Sequence, residues 1–584
     1  MSKKLHGIGA SNGIAIAKVF KLEEPKYEIS NNTISDSAKE IKILEAAMQK
    51  ANTDIEKLQK IVLDKLGAEK AAIFEAHKKI LRDPVMIDEA KNIIKSNNNN
   101  NNNNNNNAAY AIHTVAQKFI TMFASMDDPY FKERAADVKD VTDRLIKYIL
   151  NVPVLDLATI SEEVIIVAED LTPSQTAQLN PKFVKGFSCD MGGRTSHAAI
   201  MARSLEIPAV LGLKDITKQA NHHEIIMING TTGEIILNPT SAEIKTWTTE
   251  KEKFLQLQQE LLAFKDKPTV SKDGYQKFVL EGNIGAPKDV QGVLDNGGQG
   301  IGLFRSEFLY MDNDHFPTED EQYEAYKGVL EGMQGRPVII RTLDIGGDKK
   351  LSYFKFPEEM NPFLGYRAIR LCLDKTDVFR TQLRALLRAS VHGKVGIMFP
   401  MIATVDEFKT AKKITLEEKV ILLKEGHKVA DNIEIGMMME IPAAAMLADQ
   451  FAKHADFFSI GTNDLIQYTM AADRMSQFVA YLYQPYNPSV LRLIKTIIDG
   501  AHKEGKWVGM CGEMAGEEQA IPLLMGMKLD YFSMSATSIL NARRIISKLE
   551  VSAMEQLVTE ALECQTGDEV LALVEKRTKN ALEV

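Results

Sequence analysis

Eight short apolar runs recur in the second half of the chain, and each is followed by polar or charged residues. Between Lys277 and Ser535 they read FVLEGN, GIGLFRSE, PVIIRTLD, KVGIMFPM, EIGMMME, ADFFSIGTND, KWVGMCGE and DYFSMS. Each run has the length of a fully buried parallel strand, and helical patterns separate successive runs. Eight such units predict a (β/α)8 barrel, in which the active site is built where the strands end.

The residues that follow these runs have the chemistry of a site for a small anion. Paired arginines suit phosphate and carboxylate groups, and two separated acids suit a divalent cation. The residues at the predicted strand ends are Asn283, Arg305, Arg341, Asp344, Glu440, Asn463, Asp464, Cys511 and Glu513. We therefore expect the barrel, at residues 269–584, to carry the active site of an enzyme with a highly anionic substrate.

The first half of the chain predicts a different organisation, in which helices interrupt an α/β domain. Strand patterns at 1–30 and 151–238 predict that domain, and the apolar spacing across 31–150 predicts a helical bundle inserted into it. A polar amphipathic stretch at 239–268 predicts a helical linker. The run of asparagines at 97–107 predicts a solvated loop without a function of its own. The predicted fold class is multidomain α/β.

A glycine pair precedes a histidine at the predicted start of a helix in the α/β domain. The run GGRTSHAA begins at Gly192 and places His197 on the first helical turn. Glycines let the backbone approach a ligand closely, and the start of a helix offers unpaired N–H groups to an anion. A neutral imidazole is also a competent nucleophile toward phosphorus. The run therefore predicts that His197 accepts a phosphoryl group.

Composition argues against several classes of function. A chain of 584 residues with a net charge of −9 is expected to form more than one domain and not to select nucleic acid as its main partner. We expect no membrane insertion, because no run of about 18 apolar residues occurs, and we recognise no signal peptide. The four cysteines form no CxxC pair, which predicts reduced thiols and a cytoplasmic location.

Long stretches of the sequence resemble one known family. The segment GGRTSHAAIMARSLEIPAV is similar to the phosphohistidine signature of phosphoenolpyruvate (PEP)-utilising enzymes. The segments GLFRSEFL, RTLDIGGDK, NPFLGYRAIR, IPAAA, FFSIGTNDL and MCGEMAG resemble the PEP site of the same family. The order of domains resembles that of the PEP-protein phosphotransferases, the Enzyme I family of the bacterial sugar phosphotransferase system. The resemblance covers nearly the whole chain.

The resemblance implies a fold and a reaction. The fold would be a swivelling phosphohistidine α/β domain with an inserted helical bundle that binds the carrier protein HPr, followed by a C-terminal TIM barrel that binds PEP and forms a homodimer. The reaction would move the phosphoryl group of PEP to the enzyme and then to a histidine of HPr, the first step of sugar uptake, with Mg²⁺ as cofactor.

The resemblance also implies a role for individual residues. His197 corresponds to the phosphoryl acceptor, and Cys511 to the acid that protonates C3 of the leaving enolate. The substrate-binding residues would be Arg305, Arg341, Asn463 and Arg474, and the metal ligands would be Glu440 and Asp464.

The sequence departs from the family pattern at two places. Met475 follows Arg474 where the family usually has glycine, which would reshape that loop. The segment from Glu69 to Arg82 is more basic than in many relatives. We expect it to form the HPr-docking face and to depend on Phe74 and His77.

Three alternatives remain open at this point. Pyruvate phosphate dikinase and PEP synthase share both motifs, but each needs a large nucleotide-binding domain, and no stretch before Thr172 supplies one. A nitrogen-linked paralogue normally carries an N-terminal sensory domain, for which the chain has no room. A non-catalytic regulator could bind PEP or carriers without turnover, although the intact His197 and Cys511 argue against it.

Overall fold

The chain forms two compact units, Met1–Leu257 and Gln258–Val584. Their border falls inside the stretch for which the sequence predicts a helical linker. The computed structural model describes residues 2–23, 25, 27–30, 33–34, 36–66, 68–95, 105–124, 129–155, 157–193, 196–311, 313–347, 349, 351, 353–476 and 478–582.

The first unit contains a mixed sheet whose strands occur in the order β1-β10-β9-β3-β6-β7-β8-β2. In chain order, β1 to β10 are Lys3–His6, Ile8–Ser11, Ile14–Lys21, Thr33–Ile34, Asn105–Asn106, Val164–Ala168, Val184–Cys189, Ala209–Leu211, Ile225–Asn229 and Glu234–Leu237. Strands β3, β6, β7 and β8 run parallel. Their carboxyl ends therefore share one edge of the sheet, and the glycine pair at 192–193 follows β7 at that edge.

The asparagine tract is only partly described. Residues 97–104 lie outside the described part of the chain. The expectation of a loop throughout the tract is wrong at its end, because Asn105–Asn106 pair with Thr33–Ile34 as a separate two-stranded ribbon. The tract therefore ends in a pairing with the segment that precedes the first long helix.

In the part of the chain that the structure describes, the helical insert predicted by the apolar spacing consists of five helices. Helices α1 to α5 are Ser37–Leu66, Ala68–Leu81, Pro84–Lys95, Ala108–Ala124 and Pro129–Ile149. Their inward faces form one core, which includes Leu44, Ile55 and Ile112. The turn before α3 is fixed locally, because the Asp83 carboxylate accepts a hydrogen bond from the Met86 N–H at 3.0 Å, as a helix-capping aspartate does.

The face of α2 that we expected to bind a carrier lies inside this bundle. Phe74 is 1% exposed and His77 is 0% exposed. The His77 ring lies 3.3 Å from Asp137 of α5 and edge-on against Phe74. These two residues are therefore not part of an exposed docking face, because the apolar side of α2 is its core side. Glu75 and Lys79 lie on the solvent side.

Four further helices follow the insert along the chain, and the last of them crosses the border between the two units. Helices α6 to α9 are Pro173–Thr176, His197–Ser204, Ile216–Gln219 and Ser241–Leu262. Thr172 caps α6, because its side chain accepts a hydrogen bond from the Gln175 N–H. Helix α9 occupies the stretch predicted as a linker, and its Trp247 is buried with Met227 and Ile236 of the sheet.

The second unit is a closed barrel of parallel strands, β11 to β18, as the eight apolar runs predict. The strands are Val279–Ile284, Ile301–Arg305, Val338–Arg341, Val395–Phe399, Glu434–Met439, Phe457–Ile460, Trp507–Met510 and Tyr531–Met534. Each pairs with the next along the chain, and β18 closes the barrel on β11. Every strand coincides with one of the predicted runs.

Helices surround this barrel. Helices α10 to α23 are Val290–Asp295, Phe308–Met311, Glu319–Gly332, Ile369–Asp374, Thr376–Ala389, Val405–Lys424, Pro442–Met446, Ala448–Ala452, Thr462–Met470, Pro488–Lys503, Ile521–Gly526, Ile539–Lys548, Val551–Ala561 and Gly567–Leu582. Among the described residues, no helix combines the length and the hydrophobicity that crossing a bilayer requires.

Side chains fill the interior of the barrel. Leu303, Ile339, Met398 and Phe457 form an inner cluster, and the Phe457 ring stacks on Trp507 at a centroid distance of 4.5 Å. The interior is thus a packed core, as in other barrels of this kind. The ends of the strands, not the barrel axis, are where a ligand can be held.

One acid is buried in this core. Glu281 of β11 is 2% exposed, and burial raises its pKa to about 8, with a further contribution from Glu434. In the unfolded chain the pKa of a glutamate is near its ordinary value of about 4.3. Between these two values the folded state keeps a proton that the unfolded chain releases, so the free energy of unfolding falls as pH rises.

We expect Glu281→Gln to remove this pH dependence and to stabilise the barrel at pH 8. The native chain should lose about 1.4 kcal/mol of stability per pH unit across the window from this group alone. Thermal unfolding at pH 5, 6, 7 and 8 measures the slope, with the exposed Glu563→Gln as the matched control. Equal slopes for the native chain and Glu281→Gln would contradict the assignment.

Candidate active site

The histidine singled out by the sequence begins a helix, as expected. His197 is the first residue of α7, and Ser196 caps that helix by accepting a hydrogen bond from the Ala199 N–H at 3.3 Å. Gly192 has a φ of +97°, a conformation that favours glycine. Arg194 and Thr195, which the sequence places beside His197, lie outside the described residues.

A cleft of about 680 Å³ in the first unit lies beside the start of α7. Ser196 and Ala198 line it on the sheet side, together with Thr172, and Asp140 and Arg144 line it from α5 of the helical insert. The Asp140 carboxylate also accepts a hydrogen bond from the Ser174 N–H at 3.2 Å, which ties α5 to α6. The start of α7 therefore borders an open space between the insert and the sheet.

The strand ends of the barrel enclose a second cavity of about 230 Å³. All seven of the barrel residues predicted as site residues line it, namely Arg305, Arg341, Glu440, Asn463, Asp464, Arg474 and Cys511. Asp344, which the sequence placed at a strand end, lines it as well. The cavity therefore combines cations, acids, an amide and a thiol within the space of one small molecule.

Two residues of the predicted strand ends do not line the cavity. Asn283 lies behind it and donates a hydrogen bond to the Cys511 carbonyl at 3.0 Å, while its own carbonyl accepts one from the Ser533 hydroxyl at 2.6 Å. Glu513 is exposed on a short 3-10 helix after β17. Asn283 thus supports the backbone of the site, and the structure gives Glu513 no place in it.

Glu307, an acid that was not predicted from the sequence, holds two cations of the cavity. The Glu307 carboxylate accepts hydrogen bonds from Arg341 and from Lys349, the latter at 2.8 Å. Burial raises the pKa of Glu307, but Arg341 and Lys349 outweigh it and lower that pKa overall. Glu307 therefore stays ionised and fixes both cations at the cavity.

Asp344 links this pair to the acids on the other side of the cavity. It lies 3.1 Å from the Arg341 guanidinium and 2.9 Å from that of Arg367. Arg367 also reaches the Asp464 carboxylate at 3.4 Å. Burial opposes ionisation of Asp344, yet Arg341, Arg367 and Lys349 hold its pKa well below its usual range.

Arg305 differs from the other cations of the cavity. Within the described part of the chain its guanidinium has no ion pair or hydrogen bond, and it is partly exposed. Arg474 lies 3.6 Å from Asp464, and its backbone N–H is fixed by the Gln467 side chain at 3.1 Å. Met475 is 65% exposed, so its side chain points to solvent beside this loop. Arg305 is therefore the cation most available to an incoming anion.

Two acids face the cavity with the chemistry of a divalent-cation site. Burial raises the pKa of Glu440 to about 8, and the nearby Asp464 and Asp344 carboxylates add to the rise. A Cβ on Gly461 would lie 2.8 Å from the Glu440 carboxylate, so only glycine leaves this acid its place. Mg²⁺ is commonly bound by one or two carboxylates together with substrate oxygens. The pair Glu440 and Asp464 fits that donor set.

Cys511 presents a protonated thiol at the same cavity. The residue is 3% exposed and follows β17, and its N–H donates to the Ile460 carbonyl at 3.1 Å. Burial raises the pKa of the thiol above its ordinary value. A thiol with the unperturbed pKa of about 8.5 could act as acid or base near neutral pH, whereas the raised pKa keeps the Cys511 thiol protonated and able to donate.

Three residues of the site were missed by reasoning from the strand ends. Glu307, Lys349 and Arg367 all contact predicted site residues. Glu307 lies two residues beyond Arg305, while Lys349 and Arg367 belong to the long connection after β13. All three lie inside sequence segments that resemble the PEP site, and that resemblance is the signal that could have found them.

Comparison with sequence models of protein families covers most of the chain. Residues 258–551 match the PEP-binding domain of PEP-utilising enzymes. Residues 6–134 match the N-terminal part of the same enzymes, and residues 160–233 match their mobile domain. The barrel cavity and the start of α7 therefore lie in segments that match two different parts of one family.

Full-length relatives agree with this match. A protein of Mycoplasma capricolum subsp. capricolum named phosphoenolpyruvate-protein phosphotransferase is 57% identical over 580 residues, which is 99% of this chain and 100% of the relative. Proteins of the same name from Bacillus subtilis and Staphylococcus carnosus are 55% and 54% identical, over 99% and 100% of this chain and all of their own length.

Proposed function

We propose that this chain, which belongs to the family of PEP-utilising enzymes, transfers the phosphoryl group of PEP to its own His197 and then to a histidine of the carrier protein HPr. Phosphoryl transfer from PEP to protein is the activity in the names of its full-length relatives. The single observation that carries the proposal is the barrel cavity, where Arg305, Arg341, two acids and a thiol meet.

The cavity suits PEP in its charges and in its size. The phosphate group would lie against Arg305 and Arg341, whose planar forks each donate two hydrogen bonds to such an anion. Arg474 and the Asn463 amide are within the same cavity and would complete the contacts of the substrate. The acids Glu307 and Asp344 keep Arg341 in place before the substrate arrives.

The reaction conserves atoms and charges in a simple way. A nitrogen of the His197 imidazole attacks phosphorus, and the bond between phosphorus and the enolate oxygen breaks with its electrons on oxygen. The enolate then takes the proton of the Cys511 thiol at C3, which gives pyruvate and leaves a thiolate. Arginines that neutralise the charge developing on the phosphoryl oxygens accelerate such a transfer.

We assign a divalent cation, Mg²⁺, to Glu440 and Asp464. When bound, it would neutralise charge on the phosphate and carboxylate oxygens of PEP. Burial raises the pKa of Glu440 to about 8, and the nearby Asp464 carboxylate adds to the rise, so a bound cation would favour the ionised form of Glu440. Dependence on a divalent cation is in general what membership of this family suggests.

Incubation with PEP labelled on its phosphoryl group tests the proposed function. With Mg²⁺ alone, we expect acid-labile label on the chain and one pyruvate released per label; with HPr added, the label should move to HPr. Label that appears only with a nucleotide and inorganic phosphate would favour a pyruvate phosphate dikinase-like enzyme. PEP binding without pyruvate release would favour a non-catalytic regulator.

Cys511→Ser separates the two halves of the proposed reaction. A hydroxyl is a far weaker acid than a thiol, and general acid catalysis is worth about 10²- to 10⁴-fold. We therefore expect pyruvate formation from PEP to fall by at least about 100-fold. Exchange of label between phosphorylated HPr and His197 should keep its native rate, because no carbon acid takes part in that step.

The control for this substitution is Cys372→Ser, at a thiol that is buried away from the cavity lining. Equal losses in both half-reactions of Cys511→Ser would indicate a folding defect. Native rates in both would remove Cys511 from the mechanism.

We propose that HPr binds the helical insert at the solvent side of α2 and the turn after it. Lys79, Arg82 and Val85 are exposed there, and Val85 is exposed to 65%. A stretch that exposes two cations and then an apolar side chain suits a partner surface of mixed character. Phe74 and His77 would act on docking only through the packing of α2, since both are buried.

We propose that the barrel forms a homodimer through the outer face of α15. Leu416, Val420 and Leu423 recur at helical spacing on that face and are 48%, 50% and 50% exposed. Met446 and Leu447, after β15, are 66% and 47% exposed. An apolar stripe of this kind on a soluble surface commonly marks an interface between chains.

We expect Val420→Glu to shift the native dimer toward monomer by at least about tenfold in its dissociation constant, because the substitution places a charge in the apolar interface. Sedimentation over a range of protein concentrations measures the shift. Val391→Glu, at a site 47% exposed on the same unit, is the matched control. A dimer of unchanged affinity in Val420→Glu would place the interface elsewhere.

We also propose a cytoplasmic location. All four cysteines are free thiols, and reducing compartments keep thiols in that state.

A further inference from the structure

A serine lies beneath Cys511 in the interior of the barrel. Ser459 belongs to β16 and is 4% exposed. Phe457, two residues earlier, is part of the inner cluster that also contains Cys511. Because side chains two apart in a strand point to the same face, Ser459 points into the barrel as well. It is not among the residues that line the substrate cavity.

The register of β16 and β17 brings this serine next to the thiol. Ser459 pairs with Gly509, and Cys511 lies one pleat further toward the cavity on the same face. Because Gly509 has no side chain, no side chain from that residue lies between the Ser459 hydroxyl and the Cys511 sulfur. Burial raises the pKa of the Cys511 thiol, and hydrogen bonding by the neighbouring Ser459 hydroxyl opposes that rise.

Backbone hydrogen bonds fix the position from which the Cys511 side chain extends. Its N–H donates to the Ile460 carbonyl at 3.1 Å, and its carbonyl accepts a hydrogen bond from Asn283 at 3.0 Å. The thiol itself lies 3.9 Å from the Ile460 carbonyl, within reach of a weak S–H donation. The strand register places the Ser459 hydroxyl where it can donate toward this sulfur.

Proton donation would leave a thiolate in a buried place. Such an anion is costly unless a donor or a cation faces it. The charged groups that face Cys511 are Arg341 and Arg305, which favour the thiolate, and Glu440, which opposes it. Both arginines would be engaged by the phosphate of PEP under the proposed function, whereas Ser459 lies outside the substrate cavity and stays available throughout the reaction.

We infer that Ser459 is a positioning residue for the proton donor: its hydroxyl holds the Cys511 sulfur from beneath and donates a hydrogen bond to the thiolate that remains after C3 is protonated. This inference rests on the proposed function. No proton leaves Ser459. The S–H bond of Cys511 breaks, the C3–H bond forms, and the electron pair stays on sulfur until a proton from water restores the thiol.

Ser459→Ala and Ser459→Thr test the inference in the full-length protein. The first removes the hydroxyl and the second keeps it. In the reverse direction the thiolate removes a proton from the methyl group of pyruvate, so exchange of pyruvate C3 hydrogens in D₂O, with Mg²⁺ and inorganic phosphate present, reports on the thiolate. A hydrogen bond to a charged group is strong enough to move a pKa by about one unit or more.

We expect Ser459→Ala to shift the pH midpoint of this exchange upward by about one unit, with about tenfold slower exchange below the midpoint. Ser459→Thr should stay close to the native profile. Alkylation of Cys511 by bromopyruvate, followed by mass spectrometry of the Cys511 peptide, should show the same shift without any turnover. Transfer of label between phosphorylated HPr and His197 should be unchanged in both variants.

An unchanged midpoint in Ser459→Ala, whether or not the amplitude falls, would overturn the inference and leave Ser459 as a packing residue. A shift of the pH midpoint in Ser459→Thr as large as that in Ser459→Ala would also overturn the inference. If the native chain fails to exchange pyruvate at all, the proposed function fails, and the alkylation profile still decides whether Ser459 acts on the thiol.

Discussion

Replacing His197 with alanine is expected to abolish the acid-labile phosphoryl label completely. His197 is the first residue of α7. Without its imidazole, the phosphoryl group of PEP has no acceptor on the chain. PEP should still bind the variant with native affinity, because the cavity with Arg305 and Arg341 belongs to the other compact unit. Counting of acid-labile label after incubation with labelled PEP, together with calorimetry of PEP binding, measures both quantities.

The matched control for this substitution is His222→Ala, at an exposed histidine of the same unit. It should keep the native level of label. Acid-labile label on the His197 variant would show that another residue accepts the phosphoryl group. Loss of PEP binding in that variant would show that the barrel cavity depends on His197.

The second large effect is expected from Arg341→Ala. Removing one preorganised charge from a buried site costs about 10²- to 10³-fold in kcat. The loss should be at the upper end here, because Glu307 and Asp344 would each lose a cation partner. Kinetics of pyruvate formation at saturating PEP measure kcat and KM separately. Arg305→Ala should act in the same direction but less strongly, since Arg305 holds no acid in place.

Arg336→Ala is the control for this pair, because Arg336 is exposed on the same unit and only caps its own turn. Arg341→Lys should retain part of the activity through its charge, without the forked donation of arginine. A two-fold rise in KM with native kcat for Arg341→Ala would show that Arg341 has a structural role alone.

The barrel could be predicted from the sequence because its strands are buried on both faces. A parallel strand covered by helices reads as a continuous apolar run, and all eight runs coincide with strands. The carboxyl ends of such strands then fall at one rim, which is why Glu440 and Cys511 could be assigned to one site. The cavity gathers them together with Asp464.

Other parts of the site depend on loops, whose paths the apolar pattern does not determine. Lys349 lines the cavity and Arg367 contacts Asp464, both from the connection between β13 and α13. Only the path of that loop brings the two side chains back to the strand ends. Asn283 was placed at a strand end correctly, but the pleat turns it toward the backbone of Cys511. A shift of one residue along a strand decides such an outcome.

The helical insert shows a second limit of prediction from the sequence. Helical spacing identified α2, but it did not show whether the side of Phe74 and His77 packs in the core or binds a partner. In the structure these two residues are buried on the same side as Ala71 and Leu81. A histidine and a phenylalanine suit an interface as well as a core. Only the packing of α5 against α2, through Asp137, distinguishes the two.

The acids that hold the cations of the barrel cavity have a consequence for the dependence of PEP binding on salt. Arg341, Lys349 and Arg367 already have partners inside the protein, so an arriving anion exchanges with those acids instead of displacing dissolved counterions. Mobile ions screen exposed charges far more than enclosed ones. Affinity for PEP should therefore depend on ionic strength mainly through Arg305, and far less than the number of cations in the cavity suggests.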